Sequence, residues 1–183
     1  ALGLVTLIHK FNFKRFNYWL LIIGYFLSFG YYLFQYYVAT PQQIAYKWHY
    51  GRCQLVEKVS QLDKQYQQVV FSNKEGPAYI WLLFYKAYSP QTYLQTMITD
   101  EKLDELGWMH IASFDKYIFP RQFDWNTLVK QANTLYVGYE NQLPDSWQEK
   151  IADKTYKLVI DDQVRYPNGQ SAFKLGHLQY VQD

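Results

Sequence analysis

The chain has one cysteine, Cys53, in 183 residues, so no internal disulfide and no multi-cysteine metal site can form. It also lacks a charge excess: 18 Lys+Arg against 16 Asp+Glu leave a net +2. Nucleic-acid-binding surfaces carry a large basic surplus, which sets that partner class aside. No G-x-S-x-G, P-loop or G-x-G-x-x-G occurs. His9, His49, His110 and His177 lack the H-x-x-x-H and H-x-H spacings of zinc sites. There is no internal repeat, no low-complexity tract and no Asn-x-Ser/Thr acceptor. Disorder is excluded from the other side, because 49% of the residues are apolar and 20% aromatic.

What is abundant is the aromatic ring, with 19 Tyr, 12 Phe and 6 Trp. Tyr and Trp accumulate where one end of a ring is apolar and the other wet, as at a membrane boundary. No charged side chain lies between Arg15 and Lys47. The most apolar stretch, Tyr18–Val38, is 21 residues long. As a helix it would span roughly 31 Å, close to the ~30 Å hydrocarbon core. Phe16, Tyr18 and Trp19 mark one edge; Tyr31, Tyr32, Tyr36 and Tyr37 mark the other. No polar stripe interrupts it, so a transmembrane helix over 18–38 is expected. His9, Lys10, Lys14 and Arg15 precede it without an acidic residue, which makes 10–17 a cytoplasmic basic loop by the positive-inside rule. Residues 47–183 hold 15 basic and 16 acidic side chains and are expected outside. The apolar segment 1–9 reads as the tail of a preceding transmembrane helix.

After Thr40-Pro41, which is expected to close the membrane segment, residues 43–183 read as an extracytoplasmic α/β domain with a mixed sheet. A helix is expected over 43–64, with Trp48, Leu55, Val59 and Leu62 as its core stripe and Gly51 as a kink or true start. Gln68–Ser72 reads as a buried strand. Gly76 is a plausible N-cap, Pro77 a first helical residue and Pro77–Ala87 a helix. A short helix over Gln91–Ile98 and a charged turn over Lys102–Trp108 follow. His110–Phe119 holds one or two strands, and Asp124 caps a helix to Ala132. Asn133–Tyr139 is a strand, Pro144–Ile151 a short helix opened by Asp145, and Tyr156–Ile160 a strand. Val164–Tyr166 and Ser171–Leu175 flank Pro167-Asn168-Gly169 as a C-terminal β-hairpin.

Binding chemistry points to the loop after the first strand. Ligands of α/β sheets sit beyond strand C-termini, so Ser72, Asn73, Lys74, Gly76 and Tyr79 are the candidate substrate-binding residues, against the alternative of a plain β–α turn. Trp48, Tyr50, Tyr85 and Tyr88 are a candidate aromatic surface for sugars, against core or membrane-proximal packing. The carboxylate pairs Asp100/Glu101 and Asp104/Glu105 fit a solvated face, and Asp161/Asp162 a turn. No metal site and no catalytic residue is assigned.

The order of features resembles a family. W-x-Y-G (Trp48, Tyr50, Gly51) opens the domain, then come G-P-A-Y-I-W-L-L-F-Y (Gly76–Tyr85) and S-P-x-x-Y (Ser89, Pro90, Tyr93). S-F-D-K-Y-x-F (Ser113–Phe119), N-T-L-Y-V (Asn133–Val137) and Y-P-N-G-x-x-x-F (Tyr166–Phe173) follow. This set, spread over roughly Tyr18 to Leu178, resembles the C-terminal part of bacterial family-39 glycosyltransferases. These are relatives of the dolichyl-phosphate-mannose–protein mannosyltransferases with a GT-C type of fold. Ala39-Thr40 before the proline, and His49 within W-x-Y-G, depart from the pattern.

The resemblance implies a multi-pass cell-membrane enzyme with further helices upstream and its C-terminal domain outside the cytoplasm. It implies a polyprenyl-phosphate sugar as donor, mannose-like, and a protein or lipid acceptor. The family's catalytic acid lies in a first outer loop that this sequence does not contain, so the segment would be supporting or acceptor-facing, with no cofactor of its own. The bilayer and the upstream helices would be its partners. A rival expectation is a membrane-anchored extracytoplasmic binding or scaffold domain without catalysis.

Overall fold

A computed structural model describes residues 15–100, 103, 106–128, 133–151 and 153–181, the side chains from residue 18 onward. The expected 1–9 segment, most of the 10–17 loop with His9, Lys10 and Lys14, and Glu101, Lys102, Asp104 and Glu105 lie outside the described residues. The chain divides into two compact units, Ala1–Ala45 and Tyr46–Asp183.

In the first unit, α1 (Arg15–Phe34) is followed by a π-helical turn, Gln35–Ala39, and then α2 (Thr40–Ile44). The expected closure at Pro41 is corrected: the helical path runs through it. Proline removes an amide hydrogen and crowds the preceding turn. Here that turn is already widened, and the Thr40 amide donates to the Gln35 carbonyl, a π-type bond. The uninterrupted α-helix expected over 18–38 is likewise corrected, since α1 ends at Phe34. Among the described residues no helix is long and apolar enough to cross a membrane. α1 opens on Arg15 and Asn17 and carries four tyrosines, which temper its leucines, isoleucines and phenylalanines. Residues 18–32 are nevertheless all exposed, with Tyr25 and Leu27 at 68% and 69%.

The second unit is a mixed α/β structure. A 3₁₀ turn (Ala45–Trp48) bridges into it, and Gly51 at φ 81° precedes α3 (Arg52–Leu62). The helix therefore starts at the glycine, and Trp48 is 74% exposed rather than part of the core stripe. Leu55 and Val59 are fully buried. β1 (Gln68–Phe71) leads to α4 (Ala78–Tyr85), α5 (Pro90–Thr96), β2 (Ile98–Thr99), β3 (Ile111–Phe114) and β4 (Tyr117–Ile118). Then come α6 (Trp125–Leu128), β5 (Thr134–Tyr139), β6 (Gln148–Ile151), β7 (Lys154–Arg165) and β8 (Ser171–Val181).

The sheet order is β2-β3-β4-β1-β5-β8-β7-β6. β4, β1 and β5 are parallel; the other pairs are antiparallel. Alternation along each strand divides the core into two layers. Val69, Phe71, Leu135 and Val137 face α3 and α4, against Leu55, Val59, Ala78 and Leu82. Val70, Tyr136 and Leu158 face the other way, against Leu128, Leu143, Phe123, Trp125 and Trp147.

Two expectations fail locally. Pro144–Ile151 is not a helix: Trp147 closes a turn on Pro144 (3.2 Å), and Gln148–Ile151 pairs with Lys154–Lys157 as β6. Asp145 forms an ion pair with the buried Lys174 (2.9 Å) instead of opening a helix. Asp161 and Asp162 do not make a turn either. They sit inside the 12-residue β7, at a bulge opposite Gly176. A side chain at Gly176 would meet the Val159 carbonyl at 2.4 Å, so only glycine lets the backbones approach there. The hairpin expected around Pro167-Asn168-Gly169 is present and is longer than its turn signal, running the full lengths of β7 and β8.

Candidate functional site

The parallel strands β4, β1 and β5 all end at one edge of the sheet. The chain leaves β1 toward β4 on one side and returns past it to β5 on the other. Loops that diverge in this way open a crevice over the strand ends. A cleft of about 410 Å³ lies among those loops. Lys74 reaches it from the loop after β1, Arg121, Gln122 and Phe123 from the loop after β4, Trp125 from the start of α6, and Asn141 and Gln142 from the loop after β5.

Backbone contacts hold the three loops together. The Asn73 amide donates to the Pro120 carbonyl (2.9 Å), and the Ser72 amide to Val137 (2.8 Å). Gln142 folds back on its own loop: its Oε1 accepts from the Tyr139 amide at 3.2 Å. Phe123 lies against Gly138, where a β-carbon would stand 2.9 Å from its ring. The Trp125 ring is fixed by Trp147 at 4.7 Å and Tyr136 at 5.3 Å between centroids. The cleft thus combines two cations, three amides and two aromatic rings. Aromatic faces suit the apolar faces of sugar rings, amides suit their hydroxyls, and Lys and Arg suit an anionic group. The described residues of its lining supply cationic, amide and aromatic groups, the chemistry of ligand binding.

The structure places the five loop candidates differently. Lys74 lines the cleft. Asn73 is buried and its Oδ1 accepts from the Ala78 amide (2.8 Å), so it caps α4. Ser72 is buried and its Oγ accepts from the Lys74 amide (3.3 Å). Gly76 adopts φ 104°, a conformation glycine takes without strain; the N-cap of α4 is Pro77, one residue later than expected. Tyr79 turns to the α3–α4 layer, edge-on to Phe119 at 6.2 Å. The aromatic candidates divide as well. Trp48, Tyr50 and Tyr85 are exposed, whereas Tyr88 packs on Phe114 and Tyr117 and donates to Asp115 (2.7 Å). Residues 121–123, 125, 141 and 142 were missed in the sequence. Their only signal is position, since each follows a strand whose parallel pairing the sequence does not state.

Three further clusters surround ionisable groups. Asp63, 2% exposed, accepts hydrogen bonds from Lys86 and Tyr117, and Lys116 lies 3.7 Å away. Burial alone would push its carboxyl up, but the bonds from Lys86 and Tyr117 and the two ammonium charges hold it below the usual range. The same cluster borders a cleft of about 630 Å³ between α3 and α4 that also includes Cys53 and Tyr85. Arg52 is buried among Phe173, Tyr139 and Trp81, with its Nη2 donating to the Tyr139 hydroxyl at 2.7 Å. On the far strands, Asp161 accepts from Tyr66 (3.1 Å) and lies 2.9 Å from His177 Nδ1. Burial and this carboxylate push Tyr66 up to about 12. Among the described residues no group of three His, Cys, Asp or Glu side chains could hold a metal ion.

Comparison with known proteins returns no match to a family model, to a curated protein or to a solved structure.

Proposed function

We propose that this chain is a membrane helix and outer domain belonging to a polyprenyl-phosphate-sugar-dependent glycosyltransferase, with the domain facing the acceptor. The observation that carries the reading is the ring-bordered helix that has no charged residue after Arg15 and whose side chains from 18 to 32 are all exposed. Apolar surface of that extent is unfavourable in water and favourable in lipid. Its tyrosine hydroxyls are accommodated at the bilayer edges and between neighbouring helices. The ordered motifs from Trp48 to Phe173 supply the enzyme class by resemblance. The cleft over β4, β1 and β5 supplies a place for a sugar-bearing or anionic acceptor, with Phe123 and Trp125 under the ring and Lys74 and Arg121 beside it.

The test uses membranes containing the whole gene product, supplied with polyprenyl-phosphate-linked radiolabelled mannose. Label should pass to protein or lipid. Trp125→Ala should raise the acceptor KM about tenfold, the value of one good aromatic contact, and leave the donor KM unchanged. Membranes that retain the protein but transfer no label would instead favour the binding or scaffold reading.

A further inference from the structure

We infer that the domain rests on the bilayer through a second, shallow contact made by residues 46–50 and the outer face of α4. This rests on the membrane reading above and extends it. The uncharged run between Arg15 and Lys47 counts 31 residues. It covers the described residues of the first unit from 16 onward and ends at Tyr46, the first residue of the second unit. Lys47, Trp48 and Tyr50 thus follow the uncharged helical run directly in the chain.

These residues have the chemistry of that layer. Trp48 is 74% exposed, and Tyr46 and Tyr50 are exposed beside it. The His49 ring lies 5.0 Å from Trp81, which joins this segment to α4. α4 carries no charge at all, and it exposes Ile80, Phe84 (73%) and Tyr85 while Ala78 and Leu82 face the core. An eight-residue helix that is apolar on both sides has no polar face for water. Trp and Tyr with a flanking lysine are the residue types that settle at headgroup depth. Lys47 sits within the 46–50 segment, and α4 is bracketed by Lys74 and Glu75 before it and Lys86 after it. The occupant is thus the outer leaflet of the same membrane rather than a protein.

The test reads depth. In a Cys53→Ser background, single cysteines replace Phe84, Trp48, Phe26 in α1, and Glu149 on the distal β6. Each carries an environment-sensitive fluorophore, and the full chain is reconstituted in phosphatidylethanolamine–phosphatidylglycerol vesicles. Nitroxide placed high on the lipid acyl chain should quench the 84 and 48 probes at least fivefold more than the 149 probe, and aqueous iodide the reverse. If the 84 and 48 probes behave like the 149 probe while the 26 probe is quenched by lipid, the shallow contact is wrong and the membrane helix stands. If the 26 probe is also aqueous, both readings fall. Shielding of the 84 probe from iodide and lipid alike would mean a protein partner, and would overturn the inference.

Discussion

Asp63 shows how one buried carboxylate sets a pH limit. Its folded-state pKa is depressed, so its contribution is complete above the ordinary aspartate pKa of about 4 and is lost as pH falls through the lower folded value. Asp63→Asn should remove that acid sensitivity and cost about 1–3 kcal/mol, the range for charged hydrogen bonds left unmade. Denaturant midpoints at pH 7 and pH 3 check both. Tyrosines report the alkaline side. Burial raises Tyr66, Tyr88 and Tyr136 to about 12, helped at Tyr66 by Asp161 and at Tyr88 by Asp115. An unfolded tyrosine ionises near 10, so stability is intact below that value and declines as pH rises toward 12. Absorbance titration at 295 nm should show a late-ionising class that merges with the rest in denaturant. Gly176→Ala forces the β7–β8 bulge apart and should cost about 1–3 kcal/mol, read as a lower thermal midpoint.

At the scale of elements, the loop after β1 serves two ends at once. Asn73 stops α4 from fraying, and in doing so fixes Lys74 at the cleft. Asn73→Ala should lose about 1 kcal/mol of stability, as cap removals do, and should also weaken binding of an anionic sugar without altering Lys74. Isothermal titration with mannose 6-phosphate, compared with Lys74→Ala, separates the two effects. Gly138 acts similarly on the next strand. A methyl group there displaces the Phe123 ring, so Gly138→Ala should weaken the same ligand while the sheet persists by circular dichroism. Much of this layer was legible beforehand. The φ-presetting proline with Asn-Gly announced the β7–β8 hairpin, and Asn133–Tyr139 read as a strand, which is β5. Pro144–Ile151 misled because Asp145 is a good cap residue, yet strand pairing with β7 and an ion pair with Lys174 outweigh the weak propensity of so short a helix.

For the molecule as a whole, the decisive experiment is physical location. The chain should remain with membranes through alkaline carbonate extraction, and arginine at Ile23 and Leu27 together should release it. Insertion scales put each such charge at about 2.5–3.5 kcal/mol in mid-bilayer.

The residues by themselves determined the oily rod, the absence of disulfide and metal-finger chemistry, the α/β class and the terminal hairpin. Each of these follows from local composition, spacing or turn stereochemistry. Only the tertiary structure decided that Trp48 faces outward, that Asn73 is a cap, and that residues 121–123, 125, 141 and 142 share a cleft with Lys74. Those residues lie far apart in the chain, and they meet only because three parallel strands align their ends, a pairing that no local pattern encodes.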